Sequence, residues 1–344
     1  MSALAIDDPR AAPPLPLAGP RALALLCDPR DRPFLGLIGG MLLVQVPAAL
    51  LVFGLGALGA LTWQVSAAYL ALLFVVFFDR FILMLHNTRH RRLWRPGVEL
   101  DWVIECVLGP LCGQTPFTYH AHHLGMHHVE GNLAEDESST LPFQRDSALD
   151  FLRYWGRFLL LGVASLAGYL RRKGRHKLAR RAVLGEAGYW LALGLLGALV
   201  SWEATLVVLG APLLLARFLM MAGNWAQHAF VDPAEPGNPF RNSITVVNTR
   251  YNRRCFNDGY HIGHHRRPSL HWSEMPDELL TNLETYRREG ALVFQGLDYF
   301  QIWALLMVKD HGTLARHLVD LGHEPRTQAE RVALLRARLV PVRG

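Results

Sequence analysis

Forty-six consecutive residues, from Pro33 to Phe78, contain no Asp, Glu, Lys or Arg. A membrane-spanning helix needs about 20 apolar residues, so this stretch is long enough for two. Gly, Thr, Trp and Gln interrupt the aliphatic run between Gly56 and Gln64 and predict the turn between the spans. A second pair is predicted from about Val183 to Ser201 and from Thr205 to Met221, turning near Trp202-Glu203. With 51% apolar residues gathered into such runs, the chain reads as an all-α, multi-pass integral membrane protein.

The basic residues follow the same pattern. Arg89, Arg91, Arg92 and Arg95 follow the first hairpin, Arg171 to Arg181 precede the second, and Arg241, Arg250, Arg253 and Arg254 follow it. Neither hairpin tip carries Lys or Arg, so the positive-inside rule turns the tips outward and puts both termini in the cytosol. The net charge of +6 therefore reports topology, and no nucleic-acid partner is expected. Residues 1–33 combine prolines with Asp7 and Asp8, lack the pattern of a secretory signal, and are expected to form a mobile tail. Four scattered cysteines give no disulfide framework, zinc ribbon or iron–sulfur motif. The segments from Trp102 to Cys112 and from Phe158 to Tyr169 are too short to span and are expected to be interfacial or re-entrant. Residues 34–276 then form the membrane domain. Residues 277–344 form a helical cytosolic region with an amphipathic stretch around Phe294 to Val308.

Nine histidines sit on the predicted cytosolic side. His86 and His90, His123, His127 and His128, and His261, His264 and His265 form three boxes; His228 stands apart in Asn224-Trp-Ala-Gln-His228. Imidazole suits iron, copper and zinc, and nine exceed what one ion can use, so the pattern points to a pair of metals. His86 and His90 are four apart, as are His123 and His127, which places each pair on one face of an α-helix. The other histidines, His120, His122, His176, His271, His311, His317 and His323, fit no such pattern and are read mainly as surface residues, with His120 and His122 the alternatives for supporting the ligands.

The ordered boxes HxxxH, HxxxHH and HxxHH, set between two spanning hairpins, resemble the integral-membrane fatty acid desaturase and hydroxylase superfamily over roughly Leu35 to Pro276. Asn257-Asp258-Gly259-Tyr260 before the third box is similar to the family's setting for it. His228 in Asn-Trp-x-x-His, and Met126-His-His-Val-Glu-Gly-Asn-Leu-Ala-Glu-Asp136, are similar to membrane alkane hydroxylases. The resemblance implies four transmembrane helices in two hairpins, interfacial helices and a cytosolic helical cap. It also implies that the nine histidines ligate two iron ions and that O2 is co-substrate. There is no His-Pro-Gly-Gly and no rubredoxin cysteine pattern, so electrons are expected from a separate ferredoxin, rubredoxin or cytochrome b5-type donor.

Several polar residues are placed to orient the ligands. Asp79 shares a helical face with His86 and His90, and Arg217 stands in the same relation to Asn224 and His228, so the two charges are expected to meet between helices beneath the metal site, with Arg80 a competing partner for Asp79. Glu130, Glu135 and Asp136 follow the second box, and Asn257 and Asp258 precede the third. The leading expectation is desaturation of a fatty acyl chain. Hydroxylation of an alkyl chain or other lipid is the alternative, and a non-catalytic metal-binding transporter or sensor is the reading from another class.

Overall fold

Four helices are long and apolar enough to cross a membrane: Pro29–Ala57, Trp63–His90, His176–Leu199 and Trp202–Gln227. They occur in a computed structural model whose described residues are 4–11, 20–321 and 325–342. Each exceeds the roughly 20 residues a bilayer requires. The second and fourth run past the predicted apolar segments to His90 and Gln227. Large apolar side chains stay exposed along them, Leu43, Leu51 and Leu199 among them, as a lipid solvent demands. The protein is an all-α integral membrane protein.

The chain divides into two compact units, one formed by Ala11–Gly125 with Val163–Phe218, the other by Met1–Arg10, Met126–Gly162 and Leu219–Gly344. In the first, here the span unit, Ala49, Val52, Tyr69, Tyr189, Ala204, Val208, Leu209 and Leu213 form a buried core. Close approach at the hairpin tips depends on Gly56, where a Cβ would lie 2.7 Å from the Ala204 Cβ and 2.8 Å from the Ser201 Oγ. Val103–Leu108 and Gly109–Leu111 are short helical turns. Arg217, expected to meet Asp79, has Glu186 as a partner: its Nη2 lies 2.7 Å from both carboxylate oxygens. The Asp79 Oδ1 accepts the backbone N–H of Arg80 at 2.8 Å.

The second unit, here the polar unit, holds a two-stranded parallel sheet. β1, Ile244–Val247, pairs with β2, Leu292–Gln295, in the register Ile244 to Leu292 through Val247 to Gln295. The expected amphipathic stretch around Phe294 is thus strand first, and helix begins only at Tyr299–Met307. Leu292, Val293 and Phe294 are all buried, so their backbone groups need a ladder that an edge or surface position would not demand. Asp298 and Gln301 close a capping box at the start of that helix.

Two features of the polar unit depart from the composition-based reading. Residues 4–10, within the stretch expected to be a mobile tail, are held by hydrogen bonds and by the packing of Leu4 and Ile6 on the core. Residues 1–3 and 12–19 of that stretch lie outside the described residues, as does His323. His271 and His311 are buried instead of lying at the surface; His311 Nε2 meets Asp146 Oδ2 at 2.9 Å, and His271 Nδ1 meets Ser273 Oγ at 2.8 Å.

Candidate metal centre

In the polar unit His127, His228, His261 and His265 converge, with one ligand nitrogen from each lying within 4.8 Å of all the others. The Nε2 atoms of His261 and His228 are 3.2 Å apart, and those of His265 and His261 are 3.0 Å apart. Neighbouring nitrogens on one ion stand about 3 Å apart, given metal–imidazole bonds of about 2.0–2.1 Å. His261 and His265 reach the same point because they are four apart on the helix His261–Arg266.

The tautomers of two rings can be assigned from their partners. His127 Nδ1 donates to the Asp136 Oδ2 at 2.8 Å. His228 Nδ1 donates to the backbone carbonyl of Asn242, with Asn242 Oδ1 also at 2.9 Å. A carbonyl and a carboxylate only accept, so the proton sits on Nδ1 and the Nε2 lone pair is left for a metal. Burial, followed by the neighbouring His127, pushes His228 down to about 4. Burial and the surrounding rings drive His265 well below its ordinary value. Burial disfavours the protonated form of His228 and His265, the partners of His127 and His228 leave their Nε2 lone pairs free, and the four nitrogens together fit a borderline transition-metal ion.

The loop after the second box builds this orientation. Asp136 Oδ1 accepts Ser138 N–H at 2.8 Å and Ser138 Oγ–H at 2.6 Å, while Oδ2 also accepts Asn132 N–H at 3.1 Å. Asn132 takes a left-handed conformation, its Oδ1 accepts Thr140 N–H, and Thr140 Oγ1 donates to the His228 carbonyl at 2.8 Å. Asn224 Nδ2 donates to the Ser138 carbonyl and to Tyr154 Oη, and so supports the loop that carries Asp136. Glu135 is exposed and Glu130 half-buried. Asn257 Nδ2 donates to the carbonyls of Pro9 and Trp272, and Asp258 Oδ2 accepts Tyr251 Oη–H at 2.6 Å. His128 and His264 meet Nε2 to Nε2 at 3.0 Å, and the His128 ring stacks on His265.

The span unit carries its own cluster. His86 and His90 lie on the helix Phe78–His90, and the Nε2 of His90 is 2.8 Å from that of His123. The His86 ring stands edge-on to both at centroid distances of 5.2 and 4.5 Å. Tyr119 stacks on His123 with its centroid 5.2 Å away. Arg89 pairs with Glu105 and, at 3.6 Å, with Asp101, which anchors the helix end beside His90.

One geometric expectation fails. His123 and His127 do not work as a pair from one helix face: His123 joins His86 and His90, and His127 joins the tetrad. The segment His123–His127 is wound as a π-helical turn, whose wider hydrogen-bond closure changes where residues four apart point. Asn242 was not foreseen, because nothing in its local sequence marks a residue 14 positions from its histidine as a ligand's partner.

Residues 61–296, about two thirds of the chain, match the family described as fatty acid desaturase. No curated protein and no solved structure matches the chain.

Proposed function

Because the chain belongs to the fatty acid desaturase family, we propose that it is a membrane-bound di-iron oxidase that uses O2 and external electrons to desaturate a fatty acyl chain. It is an oxidoreductase of the desaturase and hydroxylase type. The observation that carries the finer reading is the tetrad His127, His228, His261 and His265, with lone pairs oriented by Asp136 and Asn242. It takes one ion. The proposed ligands of the pair of ions remain the nine histidines, His86, His90, His123, His127, His128, His228, His261, His264 and His265.

Bound iron would activate dioxygen with electrons from a separate ferredoxin, rubredoxin or cytochrome b5-type donor. The chain's residues hold the ions, fix the tautomers of His127 and His228, and through burial disfavour protonation of His228 and His265. His228 at about 4 supports this, because a protonated imidazole is no ligand. The arginine distribution supports a topology with both termini and the histidines on the cytosolic side.

Hydroxylation of an alkyl chain is the second reading. It is favoured by His228 as a tetrad member and by Asp136 on His127, the two features whose sequence settings are similar to alkane hydroxylases. Mass spectrometry of total lipids from expressing cells separates the two. Products two hydrogens lighter, absent with His127→Ala, are expected for desaturation; products gaining one oxygen would replace it by hydroxylation. Purified protein that binds no iron would refute both and leave a non-catalytic membrane protein.

A further inference from the structure

The segment Leu4 to Arg10 is fastened to the residues that lead into the third histidine box. Asp8 is 2% exposed, and its Oδ2 accepts hydrogen bonds from Asn248 N–H at 2.7 Å, Tyr260 Oη–H at 2.8 Å and Asn252 Nδ2–H at 2.9 Å. Tyr260 immediately precedes His261. Asn252 passes the contact on, since its Oδ1 accepts Gly259 N–H at 2.9 Å. An ionised carboxylate buried this far is costly unless such donors surround it.

The backbone it grips needs holding. Asn248, Phe256 and Asn257 all adopt positive φ, at 57°, 54° and 52°, a region that Asn tolerates but that is uncommon for a bulky residue such as Phe256. Two of the three bond directly to the segment. Asn248 Nδ2 donates to the Ala5 carbonyl at 2.8 Å, and its Oδ1 accepts Asp7 N–H at 2.9 Å. Asn257 Nδ2 donates to the Pro9 carbonyl at 2.7 Å. At the margins Asp7 pairs with Arg253 and Arg10 with Asp277, each at 2.6 Å. Leu4 and Ile6 pack on the core that contains Tyr260 and Ile262.

We propose that Asp8, at the centre of this segment, is a positioning residue of the metal centre: through Tyr260 and Asn252 it sets how His261 and His265 enter the tetrad. The proposal rests on the metal reading above. Its consequence is that metal affinity, and not folding alone, depends on a carboxylate more than 250 residues away in sequence from the ligands it positions.

The test uses the full chain in lipid nanodiscs, stripped of metal and titrated with Co2+ as a visible probe. Asp8→Ala is expected to weaken Co2+ binding by about 10- to 100-fold, the usual effect of losing a partner behind a ligand, and to alter the visible bands. Helical circular dichroism should be retained. Tyr260→Phe should weaken binding in the same direction, and the double variant should be no worse than Asp8→Ala alone. Asp277→Asn, which loosens only the exposed end of the segment, should leave affinity unchanged. A lower melting temperature with unchanged Co2+ affinity and spectrum would make the segment a plain brace and overturn the proposal. Should Asp8→Ala not accumulate, Asp8→Asn is read by the same criteria. Wild-type protein that takes up no Co2+ would overturn the metal reading itself, and this proposal with it.

Discussion

Replacing Asp136 by Asn tests the site where its chemistry is most exposed to a single atom. In the native protein Oδ2 accepts His127 Nδ1–H at 2.8 Å and Asn132 N–H at 3.1 Å, while Oδ1 accepts two bonds from Ser138. An amide offers one acceptor oxygen. If that oxygen stays with Ser138, the new –NH2 faces two donors, and His127 escapes the clash only by moving its proton to Nε2. That tautomer cannot ligate. If the amide turns the other way, the Ser138 bonds are lost and the loop loosens. In either case the partner behind a buried ligand is removed, and metal affinity at the tetrad should fall about 10- to 100-fold, which is about 1.4–2.7 kcal/mol. Anaerobic Fe2+ loading in competition with a ferrous chelator measures this directly, and His86, His90 and His123 in the same molecule provide an internal reference. An unchanged affinity would show that Asp136 serves only the loop and that His127 is oriented by something else.

Other outcomes follow from the same geometry. His228→Ala removes one tetrad ligand and should lower iron content to that of a single site by metal analysis, with the chain still inserted in membranes. Arg145 is fully buried, and its guanidinium donates to the carbonyls of Ala229 at 2.7 Å, Arg338 at 3.0 Å and Val340 at 2.6 Å, among others. Arg145→Met leaves these buried carbonyls without a donor, at about 1–3 kcal/mol for each left unsatisfied, and should lower the stability of the polar unit in denaturant melts; Arg145→Lys should recover little because an ammonium lacks the planar fork. Arg30, and then Arg91, hold the Asp28 carboxyl well below the usual carboxylate range. A carboxyl depressed on folding stabilises above its unfolded pKa of about 3.9 and ceases to do so as pH falls further. Asp28→Asn should therefore flatten the acid limb of a melting-temperature profile below about pH 4, and an unaltered limb would refute the assignment.

The amino-acid sequence by itself determined the membrane class, the four apolar helices and the histidines that cluster. These signals are local: a charge-free run long enough to span, and residues a few positions apart on one helix. The pairing of His86 with His90, and of His261 with His265, is legible for the same reason. Which ring joins which cluster was decided by tertiary structure. The π-helical turn at His123–His127 sends two residues of one box to different groups, and no spacing rule reveals such a turn. The polar partners of the ligands and of the residues beside them were mostly hidden. Asp136 lay close enough in sequence to be suspected, but Asn242 and Asp8 reach their targets across 14 and 252 residues, where composition carries no signal. Span formation depends on the summed hydropathy of a segment, which the chain states openly. Orientation of a lone pair depends on one acceptor atom at about 2.8 Å, and only the folded chain sets that.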